Sequence, residues 1–144
     1  MDTAAETLVD FHTHSHYSDG VLSPAALVER AHSRRVGTLA LTDHDTTAGL
    51  AEAQAACALH GIRFVPGVEL SAMWRGQTIH IVGLEVDPEH AGFRTHIAAV
   101  LARRQSRLRE IGERLEKRAR LPGRELATLA AATRVIPRRL SIAG

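Results

Sequence analysis

Two histidines separated by one residue, His12 and His14, close a short apolar run near the start of the chain. On an extended strand, side chains two residues apart point to the same face. Two imidazoles on one face at a strand end can bind one metal ion. Asp19 follows on a predicted loop and adds a hard oxygen ligand. This segment therefore indicates metal chemistry.

Three later segments place a histidine or a carboxylate at or near the end of a β-like run. They are TDHD at 42–45, GVE at 67–69 and IHI at 79–81, and they add His44, Glu69 and His80 as candidate ligands. Imidazole with carboxylate suits divalent Zn, Mn or Fe, and the lack of clustered cysteines argues against a structural thiolate zinc site. Six candidate ligands on several strands predict more than one metal. Paired metals about 4 Å apart promote hydrolytic phosphoryl displacement, so a hydrolase is expected.

The composition is that of one soluble domain. The chain has 144 residues, of which 44% are hydrophobic, 24% charged and 3% aromatic. So few aromatic residues argue against a stacking platform for single-stranded nucleic acid. There is no apolar run of about 18 residues and no secretory signal pattern, so no membrane span is expected. The single Cys57 excludes an internal disulfide and fits a reducing compartment, and a cytoplasmic location is expected.

The predicted elements alternate as strand, helix, strand, helix, strand, which is typical of an α/β fold. Strands are predicted over 8–12, 38–42, 62–70 and 78–86, the third interrupted at Pro66-Gly67; helices are predicted from 23 to near 37 and over 47–60. Active sites of such folds collect at the carboxyl ends of the strands. His12, His14, His44 and Glu69 fall at those ends.

The character of the chain changes after Pro88. An apolar stripe at helical spacing, with arginines between its members, predicts one long amphipathic helix over 90–118. A break at 121–123 and a short helix near 124–133 follow, and residues 134–144 are expected to be disordered. Residues 1–93 hold 12 of the 16 acidic residues, whereas 94–144 hold 13 of the 18 basic ones. The metal chemistry and the positive charge therefore lie in different parts of the chain.

The basic helix is open to three interpretations. Its arginines could form an ordinary solvated face. They could also form a lid that contacts an anionic substrate or RNA, since Lys and Arg attract phosphate. Finally, the apolar stripe could be exposed and drive self-association.

The motifs HTHSHYSDG, LTDHD, GVELS and HIVG, in this order, resemble the polymerase and histidinol phosphatase (PHP) superfamily. The resemblance implies the first half of a distorted (β/α)₇ TIM-like barrel, followed by a basic helical insertion. The expected division is 1–88 for the barrel part, 89–133 for the helical insertion and 134–144 for the tail. The motifs are most similar to the branch of nucleoside 3′,5′-bisphosphate phosphatases that also act as 5′→3′ exoribonucleases.

The resemblance also implies a ligand set and a substrate class. His12, His14 and Glu69 would hold one metal, Glu69 and His80 a second, and Asp19 and His44 a third. Manganese is the favoured ion, with Zn, Fe or Mg as alternatives, and metal-activated hydroxide would attack phosphorus. A small nucleotide or short RNA is the expected substrate, with no membrane and no double-stranded DNA partner.

The chain departs from this family pattern in its later part. The family completes its site with a later histidine and an Asp-x-His pair, but no histidine follows His96 and no aspartate follows Asp87. Four strands are also too few for a barrel that takes about 200–250 residues. The chain is therefore expected to be the front half of such an enzyme, binding metal weakly and turning over poorly alone.

Simpler interpretations stand beside several site residues. Asp19 could be a turn residue before Gly20, Asp45 could cap the following helix, and His80 could be a buried core histidine. Asp10 could support a histidine N–H or be structural. Asp43 is expected to lie outside the ligand shell, and His16 could touch substrate phosphate. At the level of function, the alternatives are a histidinol-phosphate phosphatase, a polymerase-associated exonuclease, or a truncated metal-binding module without catalysis.

Overall fold

The computed structural model describes residues 8–132. The eight elements in chain order are β1 (Leu8–Thr13), α1 (Pro24–Ser33), β2 (Val36–Leu41), α2 (Leu50–His60), β3 (Arg63–Trp74), β4 (Gln77–Leu84), α3 (Ala91–Ala119) and α4 (Gly123–Ala132). The tail at 134–144, predicted to be disordered, lies outside the described residues. None of the helices in the described part is long and apolar enough to cross a membrane.

The four strands form one sheet in the order β1-β2-β3-β4. The first three are parallel, and β4 runs antiparallel to β3. Arg75 and Gly76, which join β3 to β4, both have positive φ (46° and 80°), as expected of a tight hairpin turn whose twist matches the strands. The sheet curls into half of a TIM-like barrel, which confirms the predicted fold class.

Strand β3 is continuous through Pro66 and Gly67, so the predicted interruption is wrong. The strand changes partner there: residues 63–66 pair with β2, and 67–74 pair with β4. Pro66 lies where pairing with β2 ends and pairing with β4 begins, so it does not interrupt a continuous ladder of hydrogen bonds with either strand. A Cβ on Gly67 would lie 2.7 Å from the methyl group of Thr42. Glycine at this position therefore allows the loop that follows β2 to approach β3 closely.

Two predicted helix boundaries differ from the structure. Helix α1 begins as predicted, with the Ser23 hydroxyl accepting from the Ala26 amide, but it ends at Ser33, and Gly37 belongs to β2. Helix α2 begins at Leu50, three residues later than predicted. Residues 42–49 are held instead in the loop that carries His44. Gly61 closes α2 in the left-handed conformation (φ 66°), so the helix ends at His60, as predicted.

Helices α1 and α2 pack on the parallel part of the sheet. Val28 of α1 and Cys57 of α2 are fully buried, in one core cluster with Leu39 and Leu41 of β2. Cys57 therefore packs its helix against the sheet. Burial raises the pKa of its thiol to about 11.

The long predicted helix is present as α3, and α4 packs against it. The two helices meet at Gly112 and Gly123, where a Cβ on Gly112 would lie 2.6 Å from the Gly123 carbonyl oxygen. Glu116 of α3 accepts hydrogen bonds from the backbone amide (2.9 Å) and the Nε (2.6 Å) of Arg124. The two helices thus form a helical hairpin.

The apolar stripe of α3 is partly covered, and self-association through it stays a prediction. Ile97 and Val100 are buried, and the remaining apolar members of the stripe are half-buried. The exposed apolar side chains lie mainly on the sheet, among them Phe11 of β1 and Met73, Trp74, Ile81 and Leu84 of β3 and β4.

Candidate metal centre

Glu69 lies at the centre of a cluster of histidines at the carboxyl ends of the parallel strands. Its Oε2 lies 2.9 Å from Nε2 of His12 and 3.0 Å from Nε2 of His14. The same oxygen lies 3.5 Å from Nε2 of His44, and Oε1 lies 3.7 Å from Nδ1 of His80. One buried carboxylate therefore faces four imidazoles.

Asp19 forms the other carboxylate of the cluster. Its Oδ1 lies 3.2 Å from Nδ1 of His14, and its Oδ2 lies 3.7 Å from Nε2 of His44. The side chain is partly exposed, unlike that of Glu69. Asp19 thus faces two histidines that also face Glu69, rather than serving only as a turn residue.

The six side chains fall into three overlapping groups, in each of which the ligand atoms lie within 4.8 Å of one another. The groups are His12, His14 and Glu69; His14, Asp19 and His44; and His44, Glu69 and His80. The first is the trio that the family resemblance implied. The other two each contain one histidine more than implied, because His14 and His44 lie between neighbouring groups.

The loop that carries Asp19 is anchored by the buried carboxylate of Asp43. Its Oδ1 accepts from the Ser15 amide at 2.7 Å and the Ser18 hydroxyl at 2.6 Å, and its Oδ2 accepts from the Ser15 hydroxyl at 2.6 Å. A Cβ on Gly20 would lie 2.2 Å from the His14 carbonyl oxygen, so the loop can close only over a glycine. Asp43 therefore positions the residues around Asp19 from outside the cluster.

The loop that carries His44 is clamped to β3 by backbone hydrogen bonds on both sides. The Asp45 amide donates to the Glu69 carbonyl oxygen at 2.9 Å, and the Glu69 amide donates to the Asp43 carbonyl oxygen at 3.1 Å. His44 and Glu69 thereby form a parallel β-bridge. Their side chains are neighbours because their backbones are paired.

Asp45 does not cap α2, so that interpretation is wrong. The N-cap is Gly49, which offers no side chain, and the Asp45 carboxylate turns to other partners. It accepts hydrogen bonds from the Ser71 amide at 2.9 Å and from the guanidinium of Arg104. Asp45 therefore connects the His44 loop to β3 and to α3.

The remaining predicted residues lie at the edge of the cluster. Asp10 accepts from the backbone amide of His12 at 3.2 Å rather than from an imidazole. His16 is exposed and stacks on Tyr17, with 4.8 Å between ring centroids. His80 is exposed on β4, so the alternative of a buried core histidine is wrong.

The electrostatics of the cluster favour a neutral imidazole at His44 beside an ionised carboxylate at Glu69. Burial lowers the pKa of His44, although Glu69 and Asp19 oppose that shift. Burial would raise the pKa of Glu69, but the hydrogen bond from His12 and the nearby histidines outweigh it and hold that pKa below its usual value. Near neutral pH both groups are in the form that binds a cation.

The donor set fits a divalent metal ion. Nε2 of His44 lies 3.7 Å from Oδ2 of Asp19 and 3.5 Å from Oε2 of Glu69, so an imidazole nitrogen and two carboxylate oxygens face one another. Carboxylate oxygen with imidazole nitrogen suits Mn, Fe or Zn, and the cluster contains no thiolate. The coarse prediction of a divalent metal site is therefore supported.

Sequence reasoning missed four residues that build the site: Ser15, Ser18, Ser71 and Arg104. The serines carry no pattern that distinguishes them from other polar loop and strand residues. Arg104 did carry a signal, since it lies four residues from both Val100 and Leu108, within the apolar stripe of α3. A charge in that stripe indicates a buried partner.

Comparison with known proteins identifies the class to which this fold and site belong. The family model of the PHP domain matches residues 10–120, and the chain belongs to that family. The chain is 48% identical over 124 residues to the 5′-3′ exoribonuclease Rnm of Salmonella typhimurium, covering 85% of this chain and 42% of that protein. It is 46% identical over 108 residues to the 3′,5′-nucleoside bisphosphate phosphatase of Chromobacterium violaceum, covering 75% and 38%. The chain thus spans about two fifths of the length of the curated relatives it matches.

Two solved structures share the fold. An amidohydrolase from Chromobacterium violaceum, solved with bound sulfate and no metal, is 44% identical with a TM-score of 0.69, covering 78% of this chain and 39% of that one. A candidate metal-dependent phosphoesterase from Bifidobacterium adolescentis is 32% identical with a TM-score of 0.72 and the same coverage.

Proposed function

We propose that this chain carries part of the metal site of a phosphoesterase that acts on nucleotides. The reaction would remove the 3′-phosphate of a nucleoside 3′,5′-bisphosphate, or trim short RNA from its 5′ end. The observation that carries the proposal is the buried Glu69 carboxylate facing four histidines, two of which also face Asp19. The names of the relatives, an exoribonuclease and a bisphosphate phosphatase, support the substrate class.

The proposed ligands are the six side chains of the cluster: His12, His14, Asp19, His44, Glu69 and His80. Two or three divalent ions, with manganese favoured, would occupy the three overlapping groups. Bound divalent ions in such a site lower the pKa of water and neutralise phosphoryl oxygens.

The chain's own residues prepare the centre for that chemistry. The ionised Glu69 offers two oxygens to neighbouring groups, and its backbone pairing with the His44 loop holds them in register. Asp43 holds the 15–18 loop closed, so Asp19 faces His14 and His44 without a conformational search. Such preorganisation reduces the reorganisation that catalysis would otherwise require.

Other features of the proposal concern the whole protein. The division into a barrel part (1–88) and a helical insertion (89–133), the cytoplasmic location and self-association remain predictions. In the described part, α3 reaches the surroundings of the centre through Arg104, which pairs with Asp45, and a lid that meets an anionic substrate stays a prediction.

The proposal is tested by metal binding and by phosphate release. Purified chain is titrated with Mn²⁺ by calorimetry and then assayed with adenosine 3′,5′-bisphosphate. We expect Mn²⁺ binding that is lost in Glu69→Gln, because the central ligand loses its charge. Glu29→Gln removes an exposed carboxylate on α1 and serves as the matched control.

The results separate the alternatives. Phosphate release from the bisphosphate that depends on Glu69 supports the nucleotide phosphoesterase, whereas release only from histidinol phosphate favours that other substrate. Mn²⁺ binding without turnover indicates the metal-binding module. A wild-type chain that binds no divalent ion contradicts the proposal.

A further inference from the structure

We infer that Arg104 is a positioning residue that fastens α3 to the metal centre and fixes the orientation of His80. The inference rests on the proposed function in so far as His80 is a metal ligand. Arg104 itself contacts no member of the six-residue cluster among the described contacts; it acts through Asp45 and Ser71.

The location of Arg104 on its helix is unusual for a charged residue. Val100, Leu101 and Leu108 are three or four residues away, so they share its side of α3. The Arg104 side chain is only 27% exposed, whereas Arg103 beside it is exposed. A guanidinium directed toward an apolar interface requires a specific anionic partner.

That partner is Asp45, whose side chain is 1% exposed. Nη2 of Arg104 donates to Oδ2 of Asp45 and, at 3.2 Å, to Oγ of Ser71. Oδ1 of Asp45 accepts from the Ser71 amide at 2.9 Å, so the three residues form a closed set of contacts. Removal of Arg104 would leave the Asp45 carboxylate buried with its charge unpaired.

The closed set adjoins the metal centre at two points. Oγ of Ser71 lies 3.4 Å from Nδ1 of His80, directly across the β3–β4 pairing. The amide of Asp45 donates to the carbonyl oxygen of Glu69 at 2.9 Å. The Ser71 hydroxyl thus lies beside the same ring nitrogen that faces Oε1 of Glu69 at 3.7 Å, and together with the His44 ring, whose centroid lies 4.9 Å away, it limits rotation of the exposed His80 ring.

Groups that orient a metal ligand affect affinity strongly although they do not touch the metal. Their loss typically lowers metal affinity by about 10- to 100-fold. We expect a loss of this size at the group formed by His44, Glu69 and His80. The group formed by His12, His14 and Glu69 should be affected less, because it shares only Glu69 with it.

The test compares Arg104→Met with Arg104→Lys and with the control Arg103→Met. Methionine suits the apolar stripe of α3, so Arg104→Met should remain folded by circular dichroism, whereas lysine keeps the charge and should restore part of the effect. The first readout is the long-range ¹H–¹⁵N NMR spectrum of the histidine rings without metal. The second is Co²⁺ titration, followed by its visible absorption.

In Arg104→Met, we expect the His80 ring signals to shift or broaden and one class of Co²⁺ sites to weaken by about 10-fold or more. Arg103→Met should match wild type, and Arg104→Lys should lie between. Unchanged His80 signals in folded Arg104→Met would overturn the inference. So would an equal effect of Arg103→Met.

Two further outcomes remain informative. If wild type binds no Co²⁺, the proposed function fails, but the metal-free ring spectra still decide the role of Arg104. If Arg104→Met does not fold, Ser71→Ala retains the Arg104–Asp45 pair and removes only the hydroxyl beside His80. His80 signals that do not change in Ser71→Ala would then contradict the inference.

Discussion

At the scale of single residues, the site depends on side chains that hold other side chains. Asp43 is a buried carboxylate that would be costly alone, and three donors from Ser15 and Ser18 compensate it. Its role could be predicted only as lying outside the ligand shell, because the partners come from a loop 25 to 28 residues earlier. The candidate ligands themselves were recognisable from motif and strand position.

Asp43→Ala should lower the free energy of unfolding by about 2–4 kcal/mol, because it leaves the buried donors of Ser15 and Ser18 unpaired. Urea denaturation measures this change. Asp87→Ala removes an exposed carboxylate with one backbone hydrogen bond and is the control, expected to stay within about 0.5 kcal/mol. Equal losses in the two variants would refute the anchoring role of Asp43.

At the scale of elements, sequence patterns predicted which segments form helices and strands better than where each begins. The start of α1 at Ser23-Pro24 and the end of α2 before Gly61 could be predicted, because capping and the left-handed conformation of glycine are local effects. The start of α2 and the continuity of β3 were not, because the His44 loop is paired with β3 through hydrogen bonds between distant segments.

The contact between α3 and α4 depends on two glycines. Gly112→Ala should lower the free energy of unfolding by about 1–3 kcal/mol. The added methyl group would meet the Gly123 carbonyl oxygen at 2.6 Å and overpack the contact between the two helices. Hydrogen exchange should show faster opening of α4. Gly92→Ala is the matched control near the start of α3, where the added Cβ would meet only His90 ring atoms at 3.3 Å or more. Unchanged protection of α4 in Gly112→Ala would contradict this packing.

At the scale of the whole molecule, the core between the sheet and α1 and α2 supports the strand ends that carry the cluster. Cys57 is fully buried there, with a pKa raised from 9.0 to about 11 by burial. The folded chain therefore favours the neutral thiol, and the unfolded chain ionises first. The part of the free energy of unfolding that depends on a neutral Cys57 thiol is complete below pH 9. It is lost as the pH rises from 9 through 11.

This linkage should lower the free energy of unfolding by roughly 2 to 3 kcal/mol between pH 9 and 11. Urea denaturation at several pH values measures it. Cys57→Ala cannot ionise at this position, so its stability should fall less over the same interval, even if it starts lower because of the lost sulfur. Parallel pH profiles for wild type and Cys57→Ala would contradict the prediction.

The sequence by itself determined the α/β class, the order of the elements and the six candidate ligands. Those features depend on local periodicity and on short motifs at strand ends, which can be recognised in the sequence without knowing which distant residues are in contact. Only the tertiary structure decided that Glu69 faces four histidines, that Asp45 turns from α2 to Arg104, and that Ile97 and Val100 of α3 are buried. Each of these depends on which distant backbones lie together, and hydrogen bonds and burial across the fold set that arrangement.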